Sequence, residues 1–167
     1  IEKSKASIAA PLVVAPTGSV EDSVRHFPNL RSLARKICGG ADGRYDLKLN
    51  DPVFSPDWVA GMCMLFRSAD YARLNGFDRG YFLYYEDVDY CERARKAGYR
   101  VAYIPGARLV HKESSTTQRG SAFYYGHMHA GRWRYMLKHY TAEQLLSATV
   151  PAEITWLAQR GREERLG

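Results

Sequence analysis

The chain has 167 residues, of which 46% are hydrophobic and 13% aromatic, and its formal net charge is +6. A chain of this size can bury the core of one globular domain, and no apolar run approaches the eighteen residues of a membrane-spanning helix. The positive charge favours anionic partners, namely acidic lipid surfaces, phosphorylated substrates or nucleic acid, although it also fits simple solubility.

Neither the first residues of the chain nor its cysteines indicate secretion. The first residues lack the charged-then-apolar order of a secretory signal, and position 1 is Ile, so we expect a piece of a longer chain. The cysteines are odd in number, far apart and without a Cys-x-x-Cys pair: Cys38, Cys63 and Cys91. They predict reduced thiols of a cytosolic protein.

The first third of the chain predicts a strand, a helix and a loop. The apolar stretch 8–15 is interrupted by Pro11, and proline confines a strand to a sheet edge or ends it. One helical face follows, formed by Leu30, Leu33, Ala34 and Ile37. The glycine-, aspartate- and proline-rich segment 39–56 predicts a mobile loop.

The clearest predicted strand is Trp58–Arg67, which combines β-branched and aromatic residues between chain breakers. Gly61 lies inside it, and a glycine within a strand often marks the close approach of a ligand. Trp58 offers a flat apolar face for a sugar, although a core tryptophan is an equal alternative. Ser68 then caps a predicted short helix that ends at Gly76.

An aromatic run leads directly into an acidic cluster at the start of a predicted helix that Gly98 closes. The run and the cluster comprise Tyr81, Phe82, Tyr84, Tyr85, Glu86, Asp87 and Asp89. Carboxylates against a partly apolar wall suit general-base catalysis. The alternative is an acidic helix start beside core aromatics.

Two short strands, 99–104 and 107–111, are predicted on either side of a Pro-Gly turn. The second ends on His111, which is either a ligand for metal or phosphate or an ordinary surface histidine. Two helices follow, over 123–140 and over 151–159, the latter with Pro151 in its first turn. Their basic, aromatic face either packs on its own domain or lies on a membrane surface.

Five of these features resemble, in order and spacing, the family 2 glycosyltransferases, especially the rhamnosyltransferase-like branch. The resemblance covers residues 57–112 and rests on the motifs Trp58-x-x-Gly61, Gly76-Phe77-Asp78, Glu86-Asp87-x-Asp89, Gly98-Tyr99 and Val110-His111. It implies an α/β fold, a partial GT-A-type mixed sheet with flanking helices and a helical C-terminal tail. We expect a first segment over 1–56, the catalytic core over 57–112 and a basic helical tail over 113–167.

The resemblance also implies roles for individual residues. Asp87 would be the general base, with Glu86 and Asp89 holding the helix start and shaping the field. The floor for sugar and acceptor would comprise Trp58, Gly61, Tyr84 and Tyr85. His111 would serve the metal and diphosphate end. A divalent metal, Mg or Mn, is expected only in the complete domain, because the family's Asp-x-Asp motif is not found before Asp57.

The implied function is an inverting transfer of a sugar, rhamnose as the first choice, from a dTDP- or UDP-sugar to a glycan or lipid-linked acceptor in cell-wall or polysaccharide biosynthesis. The predicted location is cytoplasmic, with peripheral contact to the inner face of the membrane through the tail. The isolated chain is expected to be inactive. The alternative is a non-catalytic module that binds an anionic glycolipid or an acidic partner. A nucleic-acid partner is disfavoured, because the basic residues are dispersed and no recognition motif occurs.

Overall fold

The computed structural model describes residues 6–32, 43–112 and 121–163, which form a mixed α/β arrangement of a small sheet and packed helices. The strands are β1 (Ile8–Val14), β2 (Val24–Arg25), β3 (Trp58–Val59), β4 (Leu65–Phe66) and β5 (Val101–Val110). The helices are α1 (Ser68–Arg73), α2 (Glu86–Lys96), α3 (Ala122–His139) and α4 (Ala142–Glu163). The predicted helical face at 30–37 and the thiol of Cys38 lie largely outside the described residues.

The main sheet has the order β4-β1-β5, with β1 antiparallel to β4 and parallel to β5. The expected edge position of Pro11 is wrong for the strand as a whole. At Pro11 itself the strand does have a free edge. Since β4 pairs only with Ile8 and Ala9, Pro11 has, among the described residues, a paired strand on one side only, namely β5. Proline is tolerated there because the opposite side of the ladder requires no donor.

The two strands predicted around the Pro-Gly turn are one continuous strand, β5. Its pairing with β1 jumps from Ile104, opposite Pro11, to Arg108, opposite Leu12. The three residues 105–107 therefore form a bulge instead of a turn between strands. The bulge lets β5 run on to the same edge of the sheet as the end of β1.

The single strand predicted over Trp58–Arg67 is also wrong. Val59 pairs with Val24 of β2, whereas Leu65 pairs with Ala9 of β1. Since these partners belong to two different sheets, the chain must cross between them, and residues 60–64 form the turn that does so. Gly61 consequently lies in an exposed turn.

Helix α2 carries the core on two of its faces. Val88, Cys91 and Ala94 recur at helical spacing, and all three are buried. Cys91 and Ala94 pack with Ile8 and Leu12 of β1 and Val101 of β5. A second cluster joins α2 to the C-terminal helices and comprises Tyr81, Tyr85, Val88, Tyr135, Met136 and Leu145. Helix α2 therefore links the sheet to the C-terminal part of the chain.

The last helix begins earlier than predicted. Helix α4 starts at Ala142, and Pro151 lies inside it instead of in its first turn. Thr141 and Gln144 form a reciprocal capping box, in which the Gln144 N–H donates to the Thr141 hydroxyl at 3.3 Å and the Thr141 N–H donates to Gln144 Oε1 at 2.9 Å. Among the described residues, no helix is both long and apolar enough to cross a membrane.

Candidate functional site

The structure brings two of the predicted site residues into direct contact. Asp87 is the second residue of α2, and its Oδ2 accepts a hydrogen bond from the Gly61 N–H at 2.8 Å. Its Oδ1 accepts from the Val88 N–H, also at 2.8 Å. Unpaired N–H groups at a helix start favour a carboxylate there. The two bonds fix both oxygens of Asp87 beside the exposed turn at Gly61.

Glu86 lies next to Asp87 and faces the same glycine. A Cβ placed on Gly61 would lie 3.6 Å from Asp87 Oδ2 and 3.9 Å from Glu86 Oε1. The other oxygen of Glu86, Oε2, is buried without a hydrogen-bond partner in the described part of the chain. A side chain at position 61 would therefore contact both carboxyl groups at ordinary van der Waals distance, and only one of the two groups is fully hydrogen-bonded.

The two carboxyl groups have altered proton affinities. Burial raises the pKa of Glu86, and the negative charge of Asp87 raises it further. Burial also raises the pKa of Asp87, although the N–H groups of Gly61 and Val88 and the charge of Arg25 oppose this. A carboxylate with a raised pKa is a stronger proton acceptor, which is what a general base requires.

Arg25 is a site residue that the sequence did not indicate. It belongs to β2, lies opposite Trp58 of β3, and forms an ion pair with Asp22. Its guanidinium carbon lies 5.9 Å from the centre of the Trp58 ring. No local pattern distinguishes this arginine, because its place depends on the pairing of strands more than thirty residues apart.

Trp58 is partly buried, and its indole N–H donates to the His26 carbonyl at 3.0 Å. Its ring packs against both core clusters, so it supports the site structurally whatever else it contacts. The predicted sugar-stacking role stays a prediction. The indole bond does fix the ring orientation beside Arg25.

Tyr84 and Tyr85 have left-handed backbone conformations, with φ values of 68° and 70°. Each such residue costs about 1–3 kcal/mol and persists only where its surroundings enforce it. The Tyr84 ring contacts Tyr124 at a centroid distance of 5.4 Å, and the buried Tyr85 ring contacts Tyr135 at 5.7 Å. The tyrosines therefore hold the approach to α2 against α3.

Asp89 lies apart from Asp87, because two residues along a helix correspond to a rotation of about 200°. It is fully buried, and its carboxylate contacts three basic side chains. Arg93 Nε lies 2.8 Å from Oδ2, Lys138 Nζ and His139 Nε2 each 2.8 Å from Oδ1. Asp89 thus ties α2 to the end of α3, whereas the sequence grouped it with Asp87 and Glu86.

This cluster has coupled protonation. Burial alone would raise the pKa of Asp89, but hydrogen bonds from His139, Lys138 and Arg93 outweigh it and lower the pKa to about 2. The pKa of Glu92 likewise falls to about 2, because bonds from His139, Lys96 and Tyr135 outweigh its burial. Burial lowers the pKa of His139, but its bonds to Asp89 and Glu92 raise it overall.

The free energy of unfolding should therefore decline on both sides of mildly acidic pH. The stabilisation from Asp89 and Glu92 is present above their ordinary values of 3.8 and 4.5 and is lost as pH falls towards 2. The stabilisation from His139 is present below its ordinary value of 6.5 and is lost as pH rises through its raised value. Urea unfolding from pH 3 to 9 measures this, and a flat profile between pH 3 and 5 would contradict it.

His111 follows the end of β5, and its N–H donates to the Val14 carbonyl at 2.9 Å. Its Nδ1 lies 2.9 Å from Glu21 Oε2. The chain supplies these two metal-ligating groups side by side, but residues 6–32, 43–112 and 121–163 contain no cluster of three or more that could hold an ion. A hard divalent cation takes about six oxygen ligands, so the residues in these ranges do not fit a metal centre by themselves.

Comparison with known proteins gives the context of this site. Residues 5–161 match the family described as glycosyl transferase family group 2. The chain is 31% identical over 153 residues to N-acetylglucosaminyl-diphospho-decaprenol L-rhamnosyltransferase of Mycobacterium tuberculosis. The aligned region covers 80% of this chain and 50% of the relative. It is also 51% identical over 92 residues to rhamnosyltransferase WbbL of Escherichia coli K12. This aligned region covers 53% of this chain and 34% of the relative.

No solved structure matches the chain. The chain spans about half the length of the mycobacterial relative and a third of WbbL. The family match nonetheless covers almost every residue and includes all five motifs at which the sequence resembles this family. The chain therefore belongs to glycosyl transferase family group 2, in its rhamnosyltransferase-like branch.

Proposed function

We propose that this chain is the acceptor-side part of an inverting glycosyltransferase with a GT-A-type fold, and that Asp87 is its general base. The observation that carries the proposal is the carboxylate of Asp87, held by the N–H groups of Gly61 and Val88 next to an open turn. Both oxygens of the base are thus oriented by backbone N–H groups.

In this mechanism Asp87 accepts the proton of an acceptor hydroxyl while the hydroxyl oxygen attacks the anomeric carbon. The bond from that carbon to the nucleoside diphosphate breaks on the opposite face, so the configuration inverts. Burial raises the proton affinity of Asp87, although its hydrogen bonds from the Gly61 and Val88 N–H groups oppose this. The positive charge of Arg25 acts on Asp87 in the opposite sense and favours an anionic substrate group nearby.

For the substrates we propose an L-rhamnosyl donor, carried on dTDP or UDP, and a glycan or lipid-linked acceptor. The support is the names of the relatives, one of which is a rhamnosyltransferase for a diphospho-decaprenol-linked sugar. The net charge of +6 is complementary to such a diphosphate and to acidic lipid headgroups. We accordingly propose a cytoplasmic protein that contacts the inner face of the membrane through its tail.

A divalent metal, Mg or Mn, is proposed only for the complete domain. His111 would contribute one ligand there, and the metal would supply positive charge for the leaving diphosphate. Because the described residues do not form a metal site, no step above depends on it.

The experiment is a transfer assay on the full-length protein. Radiolabelled dTDP-rhamnose and UDP-sugars are offered with a polyprenyl-diphosphate-linked GlcNAc acceptor, with and without Mn²⁺. The proposal expects rhamnosyl transfer with inverted anomeric configuration. Acceptor binding without transfer from any donor would favour the non-catalytic module instead.

The 167 residues alone should show no glycosyl transfer. Much of the rate depends on holding donor and acceptor within about 3 Å and in line. The described part of the chain provides the base, but its main sheet has only three strands and it contains no metal-ligating cluster. Calorimetry of the chain with UDP and dTDP plus Mn²⁺, followed by the transfer assay, tests this. Tight nucleotide binding, or turnover comparable with the full-length protein, would contradict it.

A further inference from the structure

The loop before the base, residues 78–85, lies along one side of α3. At its start, Asp78 accepts from Arg134 at 2.9 Å and from Lys138 at 2.8 Å. At its end, the Tyr85 ring packs against Tyr135. The loop therefore contacts α3 at both ends, through ion pairs at Asp78 and through an aromatic contact at Tyr85.

Next to the contact at Tyr85, the backbone of the loop contacts α3 at Gly131. A Cβ on Gly131 would lie 2.6 Å from the Tyr84 carbonyl oxygen, 3.3 Å from the Tyr84 carbonyl carbon and 3.4 Å from Tyr85 Cδ2. The first distance is far shorter than any ordinary contact, and its partner is backbone, which cannot rotate away as a flexible side chain would. Only glycine fits at position 131 with the loop in this conformation.

The same two tyrosines are the ones with left-handed backbone, and helix α2 begins immediately after them. Tyr85 is the N-cap residue of α2, and its carbonyl accepts the Asp89 N–H at 2.9 Å, the first hydrogen bond of the helix. Asp87 is the second residue of that first turn. Any shift of the Tyr84–Tyr85 backbone must therefore move the first turn of α2 and the carboxylate of Asp87 with it.

We propose that Gly131 is a positioning residue for the base: its missing side chain lets the Tyr84 carbonyl rest on α3 and holds the left-handed Tyr84–Tyr85 pair in the conformation from which α2 presents Asp87. The catalytic part of this inference rests on the proposed function. The geometric part, which concerns only the placement of Asp87, stands independently of it.

The test replaces Gly131 with Ala in the full-length protein. An ordinary contact at the new methyl group requires the backbones to separate by roughly 1 Å, and such a misplacement costs on the order of 100-fold in rate. We expect kcat to fall about 10- to 100-fold with little change in the KM of the donor. The matched control is Gly126→Ala on the same helix, where the new Cβ meets nothing within 4 Å and kcat should be unchanged.

A second readout follows the base itself. In protein labelled with ¹⁵N-glycine, the amide signal of Gly61 reports the titration of Asp87, because its N–H donates to that carboxylate. Gly126→Ala should leave this titration as in the wild type, whereas Gly131→Ala should shift the signal and weaken its response to pH. If the wild type shows no transfer, the proposed function fails, and the Gly61 signal still decides the positioning role.

If Gly131→Ala folds poorly, the double variant with Tyr84→Gly replaces it. Glycine at position 84 gives the peptide freedom to move away from the new methyl group, so folding should recover. The Gly61 signal should stay shifted, because the carbonyl no longer rests on α3. A wild-type Gly61 titration together with wild-type kcat, in either variant, would overturn the inference and reduce Gly131 to a packing position.

Discussion

Replacing Asp87 with Asn in the full-length protein is expected to lower turnover by about 10²- to 10⁴-fold, the usual contribution of a general base. An amide has no significant basicity, so it cannot accept the proton of the acceptor hydroxyl. The fold should survive, since Asn is also favoured at a helix start and keeps one oxygen for the Gly61 or Val88 N–H. Removing the Asp87 charge should also lower the pKa of Glu86.

The measurement is initial-rate transfer over a range of pH, with circular dichroism and thermal unfolding as checks on the fold. Asp46→Asn is the control for the loss of one negative charge, because its side chain is 94% exposed and its Lys48 contact is 3.9 Å long. Wild-type turnover in a folded Asp87→Asn protein would remove Asp87 from the mechanism. The bases left to consider would then include Glu86, whose buried oxygen has no partner among the described residues.

The acidic helix and its neighbours were predictable because their signals are local. Acidic residues in a first turn, small residues at helical spacing and a left-handed Gly98 are all read from a dozen consecutive residues. The contact between Asp87 and Gly61 has no such local signal, because twenty-six positions separate the two residues. The family resemblance grouped them, and only the fold shows that a backbone N–H joins them.

Errors arose where long-range pairing decides local structure. The stretch 58–67 has the composition of one strand, but its two ends pair with different strands, so its middle becomes a turn. Pro105 and Gly106 are typical of a turn, yet β1 keeps β5 continuous across them. The start of α4 is different, because the sequence does contain its signal: Thr141 with Gln144 is a capping box, whereas Pro151, which is typical of a first turn, lies inside the helix.

The ionic contact between α2 and α3 could not be predicted either, because its residues are far apart in the sequence. Asp89 and His139 are fifty residues apart, and no spacing rule connects them. The acidic run suggested one functional group of three carboxylates. The structure instead divides it into two faces of a helix, with Asp87 and Glu86 at the open turn and Asp89 in a buried ionic cluster.

Replacing Asp89 with Asn should destabilise the protein by about 3–5 kcal/mol, the usual cost of breaking a buried ion pair on one side. The amide keeps the shape but leaves Arg93, Lys138 and His139 without their shared negative charge. Other acceptors reduce the loss. Arg93 also donates to the Leu74 and Gly76 carbonyls at 2.7 Å each, and Lys138 contacts Asp78. We therefore expect a value near the lower end of this range.

Urea unfolding of the full-length protein at pH 6 measures this loss, with Asp70→Asn as the matched control. Asp70 also lies in the first turn of a helix with little exposure, but its ion pair with Arg73 is 3.8 Å long, so its replacement should cost less than about 1 kcal/mol. Asp89→Asn should also flatten the acidic limb of the stability profile. Because α3 carries Gly131, its loosening should further disturb the Gly61 amide signal, although Asp89 lies on a different face of α2 from Asp87. A stable Asp89→Asn protein with an unchanged Gly61 signal would show that the ionic cluster neither holds α3 to α2 nor helps to place the base.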